Sequence, residues 1–266
     1  MNESFQYVVL ALIQGLTEFL PISSSAHLLL PSQLLGWPDQ GLAFDIAVHI
    51  GSLLAVIVYF RRDILSMGVA WVGSLGGRRR TADSDLAWMV IVATIPAGLA
   101  GIAFSDLVEI HLRSAQVIAA TTLIFGLLLG LADYRRGSSD KVGKVTMITA
   151  VAIGLAQALA IIPGTSRSGI TMTAALFCGL SRHAAARFSF LISIPIIAAA
   201  GLLKVLELIS ENIAVDWPLL VSAAGLSAAT AFVCIDLFIR LIDKVGFMPF
   251  VIYRLLLGLY IVIFVI

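Results

Sequence analysis

Charge is what this sequence has least of. Only 12% of its 266 residues are Asp, Glu, Lys or Arg, 60% are hydrophobic, and the mean hydropathy is +1.03. Soluble domains carry roughly a quarter charged residues, so an ordinary soluble fold is excluded. Neither sign is in excess. A net charge of +1 offers no basic surface to nucleic acid. Cysteine is scarce as well. Cys178 and Cys234 both lie in apolar segments, which excludes a disulfide framework or a thiolate metal site and points to two buried thiols. No basic stretch with a cleavage site precedes the first apolar segment, so that segment is expected to stay.

What is there instead is a series of apolar runs, several near the roughly 20 residues a spanning helix needs. Residues 4–20 and 25–35 are too short to span comfortably and are separated by Pro21. Such a pair suits a re-entrant helix-loop-helix, tolerated where protein or a water-filled cavity surrounds it. Spans are expected at 43–60, 86–104 and 115–132, with a loop from Arg61 through Arg80 between the first two. The pattern then restarts: a short pair at 146–162 and 169–180 broken at Pro163-Gly164, then spans at 188–203, 217–239 and 249–266. Three spans per half is an odd number, so the halves take opposite orientations. The expected fold is an all-α polytopic membrane protein with six transmembrane helices and two re-entrant helix-loop-helix hairpins in inverted-topology repeats. It forms a single integral-membrane domain over residues 1–266, with pseudo-repeats 1–140 and 141–266. The segments from Arg61 to Asp85, Asp133 to Lys144 and Arg240 to Lys244 are net positive. Those from Ser105 to Ser114 (with Asp106 and Glu109) and Lys204 to Asp216 (with Glu211) are net negative. The positive side is expected to be cytoplasmic, with both termini outside and the two hairpin tips meeting within the membrane.

Those tips hold the polar residues. The first reads Q-G-L-T-E-F-L-P-I-S-S-S-A-H from Gln14 to His27. Gln14 and Glu18 are four apart, one turn on a shared helix face if the helix runs to Leu20. A carboxylate at that depth is costly, which marks it as functional. Gln14 and Glu18 are candidate ligands for a hard cation, Mg²⁺ or Ca²⁺, with phosphate oxygens completing a thin set. Ser23, Ser24 and Ser25 can cap the next helix or serve as nucleophile and phosphate donors. His27 shares the loop with Ser24, and a hydroxyl beside an imidazole is a common activation arrangement. The second tip reads P-G-T-S-R-S-G from Pro163 to Gly169. Arg167 offers a planar fork of donors that matches phosphate, with hydroxyls from Thr165, Ser166, Ser168 and Thr171 around it. Aligning Pro21 with Pro163 sets Ser23-Ser24 against Thr165-Ser166. The two tips carry complementary charge and read as two walls of one site. His49 with Asp45 divides evenly between lining that site and structural bonding. Asp236 and Arg254 lie near span ends, where snorkelling accounts for them. Gly98, Ala100 and Gly101 are candidates for close helix contacts beside a lipid groove.

On these two motifs the sequence resembles the undecaprenyl pyrophosphate phosphatase family, the bacitracin-resistance membrane family, and the resemblance extends through the order of the spans. It implies removal of the terminal phosphate of undecaprenyl diphosphate at the outer face of the bacterial inner (plasma) membrane, in support of peptidoglycan synthesis, helped by a divalent cation. It places Gln14 and Glu18 at the acidic, metal-associated positions, the family's serine and histidine on Ser24 and His27, its phosphate-binding arginine on Arg167 flanked by Ser166, and its threonine on Thr171. Either Ser24 or His27 attacks phosphorus. The implied partners are a polyprenyl diphosphate lipid and membrane lipids, with no nucleic acid, and a homo-oligomer is admitted. On architecture alone, inverted repeats with broken helices favour a secondary transporter or lipid flippase; the hydroxyl, imidazole and guanidinium constellation favours hydrolysis.

Overall fold

The computed structural model describes residues 3–38, 40–77, 79–136, 145–210 and 216–266. Asp39, Arg78, Lys141, Lys144 and Glu211, which belong to the loops considered above, lie outside the described residues. Among the described residues there are eleven α-helices and no strand. In chain order they are α1 (Glu3–Thr17), α2 (Ser24–Leu35), α3 (Gly41–Tyr59), α4 (Arg61–Leu75), α5 (Ala82–His111), α6 (Ala115–Arg136), α7 (Met147–Ala158), α8 (Arg167–Phe177), α9 (Arg182–Ser210), α10 (Trp217–Val245) and α11 (Met248–Phe264). Five are long and apolar enough to cross a membrane: α3, the Ala82–Ser105 part of α5, α6 to Arg135, α9 and α10. The sixth expected span, α11, is an apolar helix of 17 residues.

The two short pairs break where the sequence says they must. α1 stops at Thr17, three residues earlier than expected, and the Glu18 amide still bonds Gln14 O at 3.0 Å. Pro21 has no amide to continue the ladder. The chain re-enters α2 through Ser23, whose φ is +74°; the matching residue of the second pair is Ser166, at +67°. These are the only non-glycine residues with positive φ among those described. Left-handed backbone is uncommon outside glycine and costs on the order of 1–3 kcal/mol. Its appearance at both helix starts shows one loop geometry built twice. It also corrects the alignment of the two motifs by one residue: Ser23 matches Ser166 and Ser24 matches Arg167. Aligning prolines misses this because Pro163 precedes an extra glycine.

Packing follows the same duplication. α1 lies on α10 and α7 on α5; α3 pairs with α10 and α5 with α9; α6 meets α11, and α3 meets α9. The α1–α10 and α7–α5 crossings are close because Gly15 and Gly154 sit in them. A Cβ on Gly15 would stand 2.5 Å from Ser227 O, and one on Gly154 would stand 2.7 Å from Ala93 O. Gly98 and Gly101, expected to make such contacts, have nothing within 4 Å of a built Cβ. They face outward from α5. The main core gathers Phe19, Phe60, Phe188, Phe190, Phe238 and Phe247 from five segments, with Phe19 edge-on to Phe190 at 5.3 Å.

Three further readings need correction. The segment after Arg61-Arg62 is a helix, α4, where a loop was expected. Its Ile64, Met67 and Trp71 recur at helical spacing and pack inward, Trp71 against Trp88 of α5 at 5.8 Å. α5, α9 and α10 run past their apolar stretches to His111, Ser210 and Val245, because polar residues at helix ends do not interrupt the backbone ladder. Cys178 is exposed at the end of α8, while Cys234 is buried. One side of the bundle is tied by ion pairs. Arg182 of α9 grips Asp133 of α6 through Nε at 2.6 Å and Nη2 at 2.9 Å, and the Phe247 amide adds a bond to the same carboxylate at 3.2 Å. Arg187 of α9 pairs with Asp63 of α4.

Candidate functional site

The two loop tips touch. Ser168 Oγ at the start of α8 donates to Leu20 O in the first loop at 2.8 Å. Beside that contact, Arg167 Nη2 donates to Glu18 Oε1 at 2.8 Å. The pair is largely enclosed, with side-chain exposures of 8% for Glu18 and 13% for Arg167, and the guanidinium stands 5.8 Å from the Phe19 ring centroid. The chain thus turns adjacent residues opposite ways: Phe19 into the core, Glu18 toward the second tip.

Glu18 is the hub. Its Oε2 accepts Ser24 Oγ at 2.7 Å and Gln14 Nε2 at 3.1 Å, and His49 Nε2 approaches to 3.9 Å. The Gln14–Glu18 juxtaposition is the one their four-residue spacing implies. His49 belongs to the site: its Nδ1 donates to Asp45 O at 2.7 Å, which aims Nε2 at Glu18. At 37% side-chain exposure it is far more open than Glu18 at 8% or Arg167 at 13%.

His27 lies elsewhere. Its Nδ1 donates to Ser23 O at 2.7 Å, leaving Nε2 to accept the Tyr253 hydroxyl at 2.5 Å, with the two rings stacked at 5.6 Å. Ser24, which shares the loop with His27, donates to Glu18. The reason is helical geometry: the imidazole folds back one turn to the carbonyl of Ser23, the residue before α2, whose side chain makes no capping bond.

The remaining hydroxyls divide by task. Ser166 Oγ caps α8 by accepting the Gly169 amide at 3.2 Å and lies 3.3 Å from Ser168 Oγ. Ser23 Oγ and Ser25 Oγ are 3.1 Å apart, Ser23 buried and Ser25 exposed. Thr171 bonds Arg167 O, Ser168 O and Ser189 Oγ, at 2.9, 3.1 and 2.7 Å, and so braces α8 against α9. Among the described residues, four buried polar atoms here have no hydrogen-bond partner: Gln14 Oε1, Gln157 Oε1, Thr165 Oγ1 and Arg167 Nη1. Unsatisfied buried groups are rare in folded proteins. Arg167 Nη1 is a donor free to take an anion. Gln14 Oε1 is an oxygen free to take a cation.

That oxygen bears on the divalent cation implied by the resemblance. Among the described residues no three His, Cys, Asp or Glu side chains converge on one point. Glu18 with Gln14 Oε1 supplies two oxygen donors, which fit a hard cation that takes its other ligands from phosphate and water.

Arg254 was assigned to snorkelling, and the structure corrects this. It is fully buried in α11, and among the described residues its hydrogen bonds all go to carbonyls. The sequence signal was an arginine inside an otherwise uncharged helix, next to the tyrosine that meets His27.

Fold and site together define a multi-pass helical membrane protein with an acid, a hydroxyl and a guanidinium gathered at two helix breaks, a cluster suited to a phosphorylated ligand. The family model for bacitracin resistance protein BacA matches residues 7–260, and the chain belongs to this family. It is 58% identical over 251 residues to an undecaprenyl-diphosphatase of Teredinibacter turnerae, covering 94% of this chain and 95% of the relative. It is also 58% identical over 253 residues to one of Hahella chejuensis, covering 95% of each. Undecaprenyl-diphosphatase 1 of Pseudoalteromonas translucida is 54% identical over 259 residues, covering 97% of each chain.

Proposed function

We propose that this chain is an integral-membrane undecaprenyl-diphosphatase, which hydrolyses the terminal phosphate from undecaprenyl diphosphate to leave undecaprenyl phosphate. The relatives' names support the reaction. The observation that carries the site is the Glu18–Arg167 pair closed between the two loop tips, with Ser24 on the same carboxylate. The transporter alternative finds no support among those names.

Arg167 binds the pyrophosphate through its free Nη1 and then, as the pair with Glu18 loosens, through the whole fork. The amides opening α8 and the hydroxyls of Thr165, Ser166 and Ser168 line the same wall. Ser23 and Ser25 line the other, and Thr171 holds α8 in place. Ser24 Oγ attacks the terminal phosphorus in line, and the bond to the lipid-side phosphate oxygen breaks. The hydroxyl proton passes to Glu18 Oε2, which it already touches at 2.7 Å. Water then releases the phosphate from serine. His27, held by Ser23 O and Tyr253, is the competing nucleophile. Most of the rate comes from placing and neutralising charge, since phosphoryl transfer needs little else from the protein. Glu18 and Gln14 would hold a divalent cation, Mg²⁺ or Ca²⁺, jointly with substrate oxygens, and its chemistry is to offset phosphate charge.

The architecture behind this reading is six spans with two re-entrant hairpins in one domain, the pseudo-repeats being residues 1–140 and 141–266. The paired left-handed serines and the duplicated helix contacts support it. The charge bias of the loops supports a cytoplasmic side at Arg61 and Arg240, outside termini and a site opening outward.

Phosphate release from undecaprenyl diphosphate by purified protein in detergent, with and without chelator, tests the proposal. Release that chelator abolishes and Arg167→Ala eliminates is the expected result. Folded protein that releases no phosphate overturns it.

A further inference from the structure

Each of the three guanidinium nitrogens of Arg254 donates to the backbone around the site. Nε donates to Thr122 O at 3.2 Å and Nη1 to Pro21 O at 3.4 Å. Nη2 lies 3.4 Å from Thr121 O and 3.0 Å from both Gly164 O and Thr165 O. One acceptor belongs to the first loop, two to the second and two to α6. The side chain is fully buried, and among the described residues no carboxylate pairs with it. Burying a lone guanidinium is expensive. Leucine or methionine would fill the volume without that cost, so a gain specific to the fork is required.

The neighbours are cut to admit the fork. A Cβ on Gly169, two residues after Arg167, would stand 2.8 Å from Arg254 Nη1, and one on Gly126 of α6 would stand 3.1 Å from Arg254 Cβ. α6 braces the same loop with its own hydroxyls, Thr121 Oγ1 reaching Pro163 O at 2.7 Å and Thr122 Oγ1 reaching Gly164 O at 3.4 Å.

We propose that Arg254 is a positioning residue that sets the two loops in register, so that Glu18 and Ser24 of one face Arg167 of the other at reactive distance. It acts through the loop carbonyls and touches none of the reacting atoms. A single planar group is needed because Pro21 O and Gly164 O must be fixed relative to each other, and an ammonium cannot reach both along with α6. The inference rests on the diphosphatase reading for its kinetic consequence, but its structural consequence is independent of any activity.

The test uses Arg254→Lys and Gly169→Ala in the full chain, purified in detergent. Two quantities are read beside the melting temperature: kcat and KM for the polyprenyl diphosphate, and hydrogen–deuterium exchange of segments 18–24 and 162–168. A misplacement of about 1 Å at reacting groups lowers rate by about 100-fold. Both variants are expected to fold but to melt roughly 5–10 °C below the wild type, to lose kcat on that scale and to keep KM within about threefold. Exchange should rise in both loops together by about tenfold while α3 and α9 stay protected. Arg254→Lys with at least half the wild-type kcat, or with unchanged exchange in either loop, overturns the proposal. If the lysine variant does not fold, Gly169→Ala decides alone by the same criteria. If neither folds, Arg254 is a determinant of the fold only and the positioning role is overturned. A wild-type chain without phosphatase activity refutes the reaction and leaves the exchange result to judge the register.

Discussion

Arg167 and Glu18 support each other's burial, and that makes a stability prediction separable from catalysis. Replace Arg167 by Met, similar in length and uncharged. Glu18 Oε1 loses its donor at 2.8 Å, while Oε2 keeps Ser24 and Gln14. Removing one partner of a buried pair costs about 3–5 kcal/mol. The two surviving donors and the option of protonation hold the loss at the lower end, about 3 kcal/mol. For a chain of this size each kcal/mol moves the melting temperature by about 2–4 °C, which places Arg167→Met roughly 6–12 °C below wild type. Adding Glu18→Gln removes the stranded charge while keeping the shape. The double variant should therefore melt several degrees above Arg167→Met although it carries one more substitution, and both should be inactive. Thermal unfolding in one detergent, read by intrinsic fluorescence, measures the order; phosphate release measures activity. A double variant that melts lower than both singles, with losses that add, would refute the claim that the two charges compensate each other.

Ser24→Ala removes the hydroxyl on Glu18 Oε2 and should cut kcat by at least about 100-fold with KM little changed; His27→Ala losing far more than Ser24→Ala in the same assay would shift the attack to the imidazole. Gly15→Ala forces a Cβ to 2.5 Å from Ser227 O and should cost about 1–3 kcal/mol of stability by overpacking. Gly98→Ala meets nothing within 4 Å and should be neutral or gain up to about 1 kcal/mol from helix propensity, so equal melting of these two variants would contradict the packing described. Asp133→Asn strips charge from a buried carboxylate that holds Arg182 twice and the Phe247 amide once; a loss of about 3 kcal/mol is expected, near the low end for a broken pair because Arg182 is a quarter exposed, and KM should not move.

The parts of the molecule that could be read from sequence are those set by local rules. Pro21 and Pro163-Gly164 mark helix breaks because proline ends a ladder wherever it falls inside one. Gln14 and Glu18 meet because four residues is one turn. Apolar runs locate the long helices, though not their ends: α9 continues to Ser210 through Lys204 and Glu207, which pair with each other at 2.8 Å on an exposed face. α4 escaped notice because its inward face is only Ile64, Met67 and Trp71, diluted by glycines and bounded by arginines. What sequence could not supply was the partner across the fold. Ser24 and His27 are neighbours in the chain, yet one turns to Glu18 and the other to Tyr253, more than two hundred residues away. Arg254 looked like a surface-seeking charge because nothing local reveals that its five acceptors come from α6 and two loops.

The same loop, built twice, also explains why the chemistry divides between its copies. Gln14 stands nine residues before Ser23 and Gln157 nine before Ser166. Both glutamines are buried with Oε1 unpartnered, and both serines are left-handed. On that register Glu18 is answered by Ile161, Ser24 by Arg167 and His27 by Ile170. Two identical tips pressed together would place like charges against each other, two carboxylates or two guanidiniums, at a cost the enclosed site could not offset. Opposite charges on the two copies turn that conflict into the Glu18–Arg167 bond and leave a donor, Arg167 Nη1, without a partner among the described residues. A repeated loop thereby yields an asymmetric cluster, with the hydroxyl and acid on one wall and the guanidinium on the other. That polarity is the one the proposed in-line attack on a terminal phosphate would use.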